Sequence, residues 1–215
     1  MTPLRFARGN RLSVLCLGAH ADDIEIGCGG TLLRLLDEYS SVKVTWAVFS
    51  ARGGREMEAR ASATEYLSGV SEADVVIHDF DDGHFPQQSR DIKAAFEALK
   101  RVATPDLILT HHQTDAHQDH RTIAELTQQT FRAHTVLGYE IPKVDGDIAN
   151  PNFFVALTRD QCERKIERLH RHFPSQANHH WFDSDLFRGL LRLRGMHAVA
   201  PAGWAEGFYC SKVVV

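Results

Sequence analysis

Four short runs rich in valine, leucine and isoleucine, each followed by a segment with helical spacing, constrain this 215-residue chain most strongly. The runs are Leu12–Leu17, Val42–Phe49, Val75–Ile77 and Leu107–Thr110. Near-continuous apolar strands are buried on both faces, as in parallel sheets covered by helices. Between the first two runs, Thr31-Leu-Leu-Arg-Leu-Leu-Asp-Glu38 carries apolar residues at helical spacing, and Glu56–Leu67, Asp91–Val102 and Thr122–Ala133 are expected to be helices. Gly69 is expected to end the second helix as a left-handed cap. Beyond a Pro/Gly/Asp-rich loop at 138–152, a strand is expected at Phe153–Leu157, helices at Arg159–His172 and Asp185–Met196, and a strand-like tail. Repeated strand–helix–strand order defines an α/β fold, here a three-layer α/β/α sandwich on a Rossmann-like, mainly parallel sheet. The chain is expected to form one domain over residues 1–215.

A net charge of -4 leaves no basic footprint for nucleic acid or anionic membrane. The opening MTPLRFARGN is too polar for a signal peptide, and no apolar stretch reaches the ~18 residues of a spanning helix. The four cysteines are scattered without a C-x-x-C pair, so free thiols in a reducing, cytoplasmic setting are expected. Self-association into a homo-oligomer stays open.

Chemistry concentrates in two places. Gly18-Ala-His20-Ala-Asp22-Asp23-Ile-Glu25-Ile-Gly27-Cys-Gly-Gly30 follows the first strand, and Asp115-Ala-His117-Gln-Asp119-His120 follows the fourth. In open α/β sheets ligands bind beyond the carboxyl ends of strands. If the two strands are neighbours, both segments share one rim. His20, Asp23 and His120 then form a two-histidine, one-carboxylate set, which suits a catalytic zinc that keeps an open position for water. Asp22 is the free carboxylate that can act as general base. His117 is placed to meet a developing oxyanion or protonate a leaving group, with Asp119 holding its ring.

Each piece also has a plainer reading. Asp22 and Asp23 can cap the following helix. Gly27–Gly30 can be a turn or a phosphate-cradling loop, though it lacks G-x-G-x-x-G spacing. A two-histidine, one-carboxylate set also serves non-haem iron oxygenases, for which an all-β scaffold is expected. His78, His134, His170 and His172 read as structural or solvent-facing.

At these residues the chain resembles the PIG-L (LmbE-like) family of zinc-dependent deacetylases, which remove N-acetyl groups from glucosamine-containing molecules. Ala19–Gly30 matches the signature A-H-P-D-D-x-E-x-G-x-G-G except at Ala21, and His117, Asp119 and His120 match H-x-D-H. Arg52–Arg60, Arg192-Leu-Arg-Gly195 and Ala205-Glu-Gly-Phe208 resemble further family elements more loosely. The resemblance implies His20, Asp23 and His120 as ligands of one Zn2+ per chain, or of Fe2+ or another divalent ion. It implies Asp22 as base, His117 as oxyanion stabiliser or acid, and Asp119 as its orienting partner. Glu25 also has a family counterpart, beside its plainer use as a first-turn charge on the helix dipole. Arg52 is a candidate for binding a small-molecule amino-sugar substrate, and residues 138–152 and 175–181 are candidate pocket walls. Hydrolysis of another acylated amine or thiol conjugate, and silent small-molecule binding, remain as alternatives.

Overall fold

The computed structural model describes residues 6 and 9–213. In chain order the elements are β1 (Arg11–His20), α1 (Asp23–Glu38), β2 (Ser41–Ser50), α2 (Gly54–Tyr66), β3 (Glu72–Ile77), α3 (Ser89–Val102) and β4 (Leu107–His111). Then come α4 (Gln118–Thr130), β5 (Thr135–Tyr139), β6 (Phe153–Leu157), α5 (Arg159–His172), α6 (Ser184–His197) and β7 (Trp204–Cys210).

The strands form a seven-stranded sheet in the order β3-β2-β1-β4-β5-β7-β6. β3 to β5 run parallel, and β7 lies antiparallel between β5 and β6. Alternating side chains feed two cores. Val14, Cys16, Leu107 and Leu109 point to one face, where they meet residues of α1, α2, α5 and α6. Leu15, Leu17 and Ile108 point to the other, against α3 and α4. This is the expected α/β/α arrangement. Among the described residues no helix is long and apolar enough to cross a membrane. All four cysteines are free.

Three local expectations are corrected. Gly27-Cys-Gly-Gly30 is neither turn nor phosphate loop but lies buried inside α1. Its glycines serve packing: a Cβ at Gly27 would run into the ring of Tyr139, and one at Gly30 would meet Leu157 and Glu206. Gly69 is not left-handed; α2 ends earlier, where the Leu67 N–H bonds the Ala63 carbonyl. Gly138 and Tyr139 are the last residues of β5 rather than loop, and they pair with Thr110 and His111 of β4. By contrast, α5 starts where expected because Thr158 and Gln161 form a reciprocal capping box.

Candidate active site

β1 and β4 are neighbours, with Val14 opposite Leu107 and Cys16 opposite Leu109. Successive connections diverge here, since β1 leads away to β2 and β3 while β4 leads to β5. Such a switch point opens a crevice at the strand C-termini. His20 ends β1 and His111 ends β4, while Asp23 opens α1 and His117, Asp119 and His120 sit at the start of α4. Both motif segments therefore converge on one rim.

Between β1 and α1 the chain turns sharply through Asp22, whose φ of 100° is left-handed. A non-glycine residue there is strained, and such strain persists only where surrounding contacts over-determine it. The turn has no proline at Ala21; instead Arg55 Nη2 donates to the Ala21 carbonyl, and Ile26 N–H bonds the Asp22 carbonyl at 2.9 Å. Asp22 makes no side-chain cap. Arg55 Nη2 lies 3.0 Å from its Oδ2 as an ion pair without hydrogen-bond alignment. Burial pushes the Asp22 carboxyl up to about 7, against the pull of Arg55 and with a further push from Asp23.

The histidine tautomers follow from their carboxylate partners. His20 Nε2 stands 3.2 Å from Asp119 Oδ2 and 3.1 Å from Asp82 Oδ1. Between two acceptors it carries a hydrogen, so in the neutral ring Nδ1 is the bare lone pair. His120 Nδ1 is likewise 3.1 Å from Asp115 Oδ2, so its Nε2 is bare. These two bare nitrogens face each other at 3.3 Å. Asp23 closes the set, with Oδ2 3.5 Å from His20 Nδ1 and Oδ1 3.5 Å from His120 Nε2. With both rings neutral these three lone pairs repel, so the cluster calls for positive charge between them, as a proton on His20 Nδ1 or as a metal ion. The pull on positive charge is visible in His20. Burial opposes its imidazolium, yet Asp119, Asp23 and Asp82 outweigh burial and raise its pKa well above 6.5. Burial also opposes the Asp23 carboxylate, but His120 and His111 hold its pKa well below the usual range. Residues of this kind, with carboxylates fixing the far ring nitrogens, fit a divalent metal ion.

His117 caps α4, its Nδ1 accepting from the Asp119 N–H at 3.3 Å, so Nε2 carries the hydrogen. The expected pairing of the Asp119 carboxylate with His117 is not formed. That carboxylate reaches His20 and also accepts from Gly83 N at 2.6 Å and Phe85 N at 3.1 Å. From the first turn of α4 it turns toward the end of β1 and the segment that carries Gly83 and Phe85. Burial, with His120 and His20 adding to it, lowers the His117 pKa.

Above the cluster opens a cleft of about 920 Å³, walled in part by Ile141, Pro142, Lys143, Gln176 and Trp181. Both expected wall segments therefore border it. Arg52 lines it too, though its guanidinium is held by the Asp79 carbonyl and by Asp81 at 2.8 Å. Glu25 is not a surface charge on the helix dipole; it is buried and accepts from Ser62.

Several participants escaped the sequence reading. His111 Nε2 lies 3.2 Å from Asp23 Oδ2, accepts from Ala19 N at 3.0 Å, and its ring stacks on His120 at 3.9 Å. Strand alternation could have found it, since His111 follows Leu107 and Leu109 on the α1 side of the sheet. Asp115 opens the second motif segment and Arg55 lies in the Arg52–Arg60 stretch, but neither was given a role; Asp82 and Tyr139 carried no local signal, and Tyr139 reaches in from β5 to donate to the Leu17 carbonyl at 2.7 Å.

Residues 15–131, more than half of the chain, match the model of the PIG-L family, described as GlcNAc-PI de-N-acetylase. The chain belongs to the PIG-L family and is, by class, a hydrolytic deacetylase. It is 26% identical over 169 residues to the uncharacterized deacetylase YaiS of Escherichia coli (strain K12), covering 75% of this chain and 91% of that protein. Its fold is similar to the N,N'-diacetylchitobiose deacetylase of Pyrococcus horikoshii (TM-score 0.66, 20% identity, 92% of this chain and 83% of that one). It is also similar to GalB, the 4-carboxy-2-hydroxymuconate hydratase of Pseudomonas putida KT2440 (TM-score 0.71, 17% identity, 95% and 98% covered). At such identities the likeness concerns the fold alone, and the fold serves more than one chemistry. The oxygenase alternative loses its ground, because the scaffold is α/β rather than all-β.

Proposed function

We propose that this chain, acting as one domain, hydrolyses the N-acetyl group of an N-acetylglucosamine-type amino sugar or its conjugate with one divalent ion, zinc before iron(II). His20 Nδ1, Asp23 and His120 Nε2 would hold the ion. The observation that carries this reading is the convergence of His20 Nδ1 and His120 Nε2 on the Asp23 carboxylate, 3.3 to 3.5 Å apart, with the far nitrogen of each ring held by another carboxylate. Bound there, a divalent ion supplies Lewis acidity, polarising a carbonyl and bringing the pKa of water to about 7.

The chain's own residues divide the proton work. Asp22 accepts the proton of the attacking water, and its place beside Arg55 keeps it ionisable near neutral pH. His117 donates Nε2–H to the carbonyl oxygen as the carbon becomes tetrahedral, or to the departing nitrogen. Amide nitrogen leaves poorly unless protonated, so Asp22 or His117 must give it a proton as the C–N bond breaks. Acetate and the ammonium form of the amine result, which accounts for both protons of the water. Asp119 and Asp115 touch no reacting atom; they fix the rings of His20 and His120. Arg52 offers its remaining exposed N–H groups to a sugar hydroxyl. The free cysteines support a cytoplasmic location.

Metal analysis of the purified protein, paired with amine release from N-acetylated sugars, tests the reading. About one zinc per chain and stoichiometric amine are expected, and His120→Ala should lose the metal. Full metal occupancy in His120→Ala would remove the ligand assignment.

A further inference from the structure

The cleft is lined by cations that are already committed. Among the described lining residues, the arginines and lysines are Arg52, Arg55 and Lys143. Lys143 Nζ stands 3.0 Å from Asp115 Oδ1 and 2.7 Å from each Asp147 oxygen. Arg55 lies 3.0 Å from Asp22 and 3.0 Å from Glu58. Arg52 is taken by Asp81 and the Asp79 carbonyl. Meanwhile Asp82, whose side chain is 74% exposed, and the exposed Asp145 add negative charge at the mouth. An anion that pairs closely with Arg55 or Lys143 would have to displace a carboxylate already there, and Arg52 keeps only its outer, solvated N–H groups. At Arg55 or Lys143 that would strand a buried carboxylate, a change that costs more than an exposed contact returns.

A different part of the wall is flat and aromatic. Trp181 borders the cleft half-buried, stacked with His179 at 5.8 Å and 18°. It stands edge-on to Phe182 at 5.7 Å and 82°. Phe182 is itself buried and edge-on to Phe187 of α6 at 5.4 Å, so the indole is braced from the core. Gln176, one turn earlier, adds an uncharged hydrogen-bonding group to the same wall. A rigid aromatic face flanked by an amide suits the C–H face and hydroxyls of a pyranose ring.

We infer that Trp181, His179 and Gln176 form a subsite for an uncharged sugar attached to the acetylated residue, and that the cleft discriminates against phosphorylated substrates. The inference rests on the deacetylase reading of the neighbouring cluster, but its binding step can be read separately.

The test measures binding to the zinc-loaded protein calorimetrically, with amine release assayed in parallel. The neutral probe is N,N'-diacetylchitobiose and the anionic probe is N-acetylglucosamine 1-phosphate. Wild type should prefer the neutral probe, and Trp181→Ala should weaken its binding on the order of fivefold, the weight of one aromatic contact. Trp181→Ala should raise KM more than it lowers kcat, and Trp181→Phe should restore most of the affinity. Equal binding of the phosphate would overturn the discrimination against anions, and unchanged affinity in Trp181→Ala or no binding of the disaccharide would overturn the subsite. Trp181-dependent binding without amine release would uphold the subsite and sink deacetylation of this sugar. Amine release with KM indifferent to Trp181 would do the reverse.

Discussion

Helix α1 begins at one cluster of buried charge and runs across another, and the two are built on opposite terms. Beneath its middle, Glu206 accepts from Gly30 N at 2.9 Å, Thr31 N at 2.6 Å and Lys165 Nζ at 2.6 Å. Nearby, Arg194 meets Glu140 through two parallel bonds of 2.6 Å. Every oxygen of these pairs has a donor, so the arrangement is complete without a ligand. At the start of α1, Asp22 Oδ2 has no aligned hydrogen bond, and the near nitrogens of His20 and His120 face Asp23 and each other at 3.3 to 3.5 Å, a cluster that is balanced only by added positive charge. Buried charge by itself therefore does not mark a site; buried charge left incomplete does. Two of the looser family elements fall on the complete side, Arg192–Gly195 through Arg194 and Ala205–Phe208 through Glu206, while Arg52–Arg60 reaches the incomplete one through Arg55.

Four experiments press on this contrast. Asp22→Asn should have the largest effect, lowering kcat by roughly 10²–10⁴ while metal content stays at the wild-type level; undiminished turnover would give the base role to another residue. Arg194→Met should cost about 3–5 kcal/mol in denaturant unfolding, because it leaves Glu140 buried and alone. Arg194→Met with Glu140→Leu should recover most of that loss, and a double variant no better than the single would mean the pair is not self-contained. Chelation comes next. Stripping metal should lower Tm by about 2–4 °C for each kcal/mol of binding energy lost, and zinc should restore it. The same treatment should leave a His20→Ala, His120→Ala variant unmoved.

The smallest effect concerns Glu25. Burial, against the Ser62 hydrogen bond, raises its pKa from 4.5 to about 8. An unfolded chain gives up this proton at lower pH than the folded one, so the group's contribution is full below pH 4.5 and is lost as pH rises to about 8. Glu25→Gln should match wild type in acid and be more stable by a few degrees at alkaline pH. Parallel melting curves for both proteins across that range would refute a buried, protonated Glu25.

The layers of the fold were legible in the sequence because the strands read as apolar runs and the helices kept their spacing. β6 and α5 fall where expected, α5 through its Thr158–Gln161 box. The start of α1 was hidden because glycine signals a turn, whereas here Gly27 and Gly30 give room to Tyr139 and Glu206. β5 is only five residues long and runs into a loop of turn-forming composition, and the reversed direction of β7 leaves no mark in its sequence. Within the site, His20, Asp22, Asp23, His117, Asp119 and His120 were readable from spacing. The partner of Asp119 was not, because it depends on which strand lies beside β4. His111, Arg55 and Tyr139 arrive through tertiary packing, from an alternation overlooked in β4, from α2 and from β5.

His20 and His120 are a hundred positions apart and meet only where β4 docks beside β1. Neither the β1–α1 unit nor the β4–α4 unit owns a full set of ligands. An ion shared between them, as proposed, would act as a proofreader of chain topology: molecules stalled before that docking would stay metal-blank. The zinc content of a preparation would then count its correctly assembled fraction, before any substrate is known.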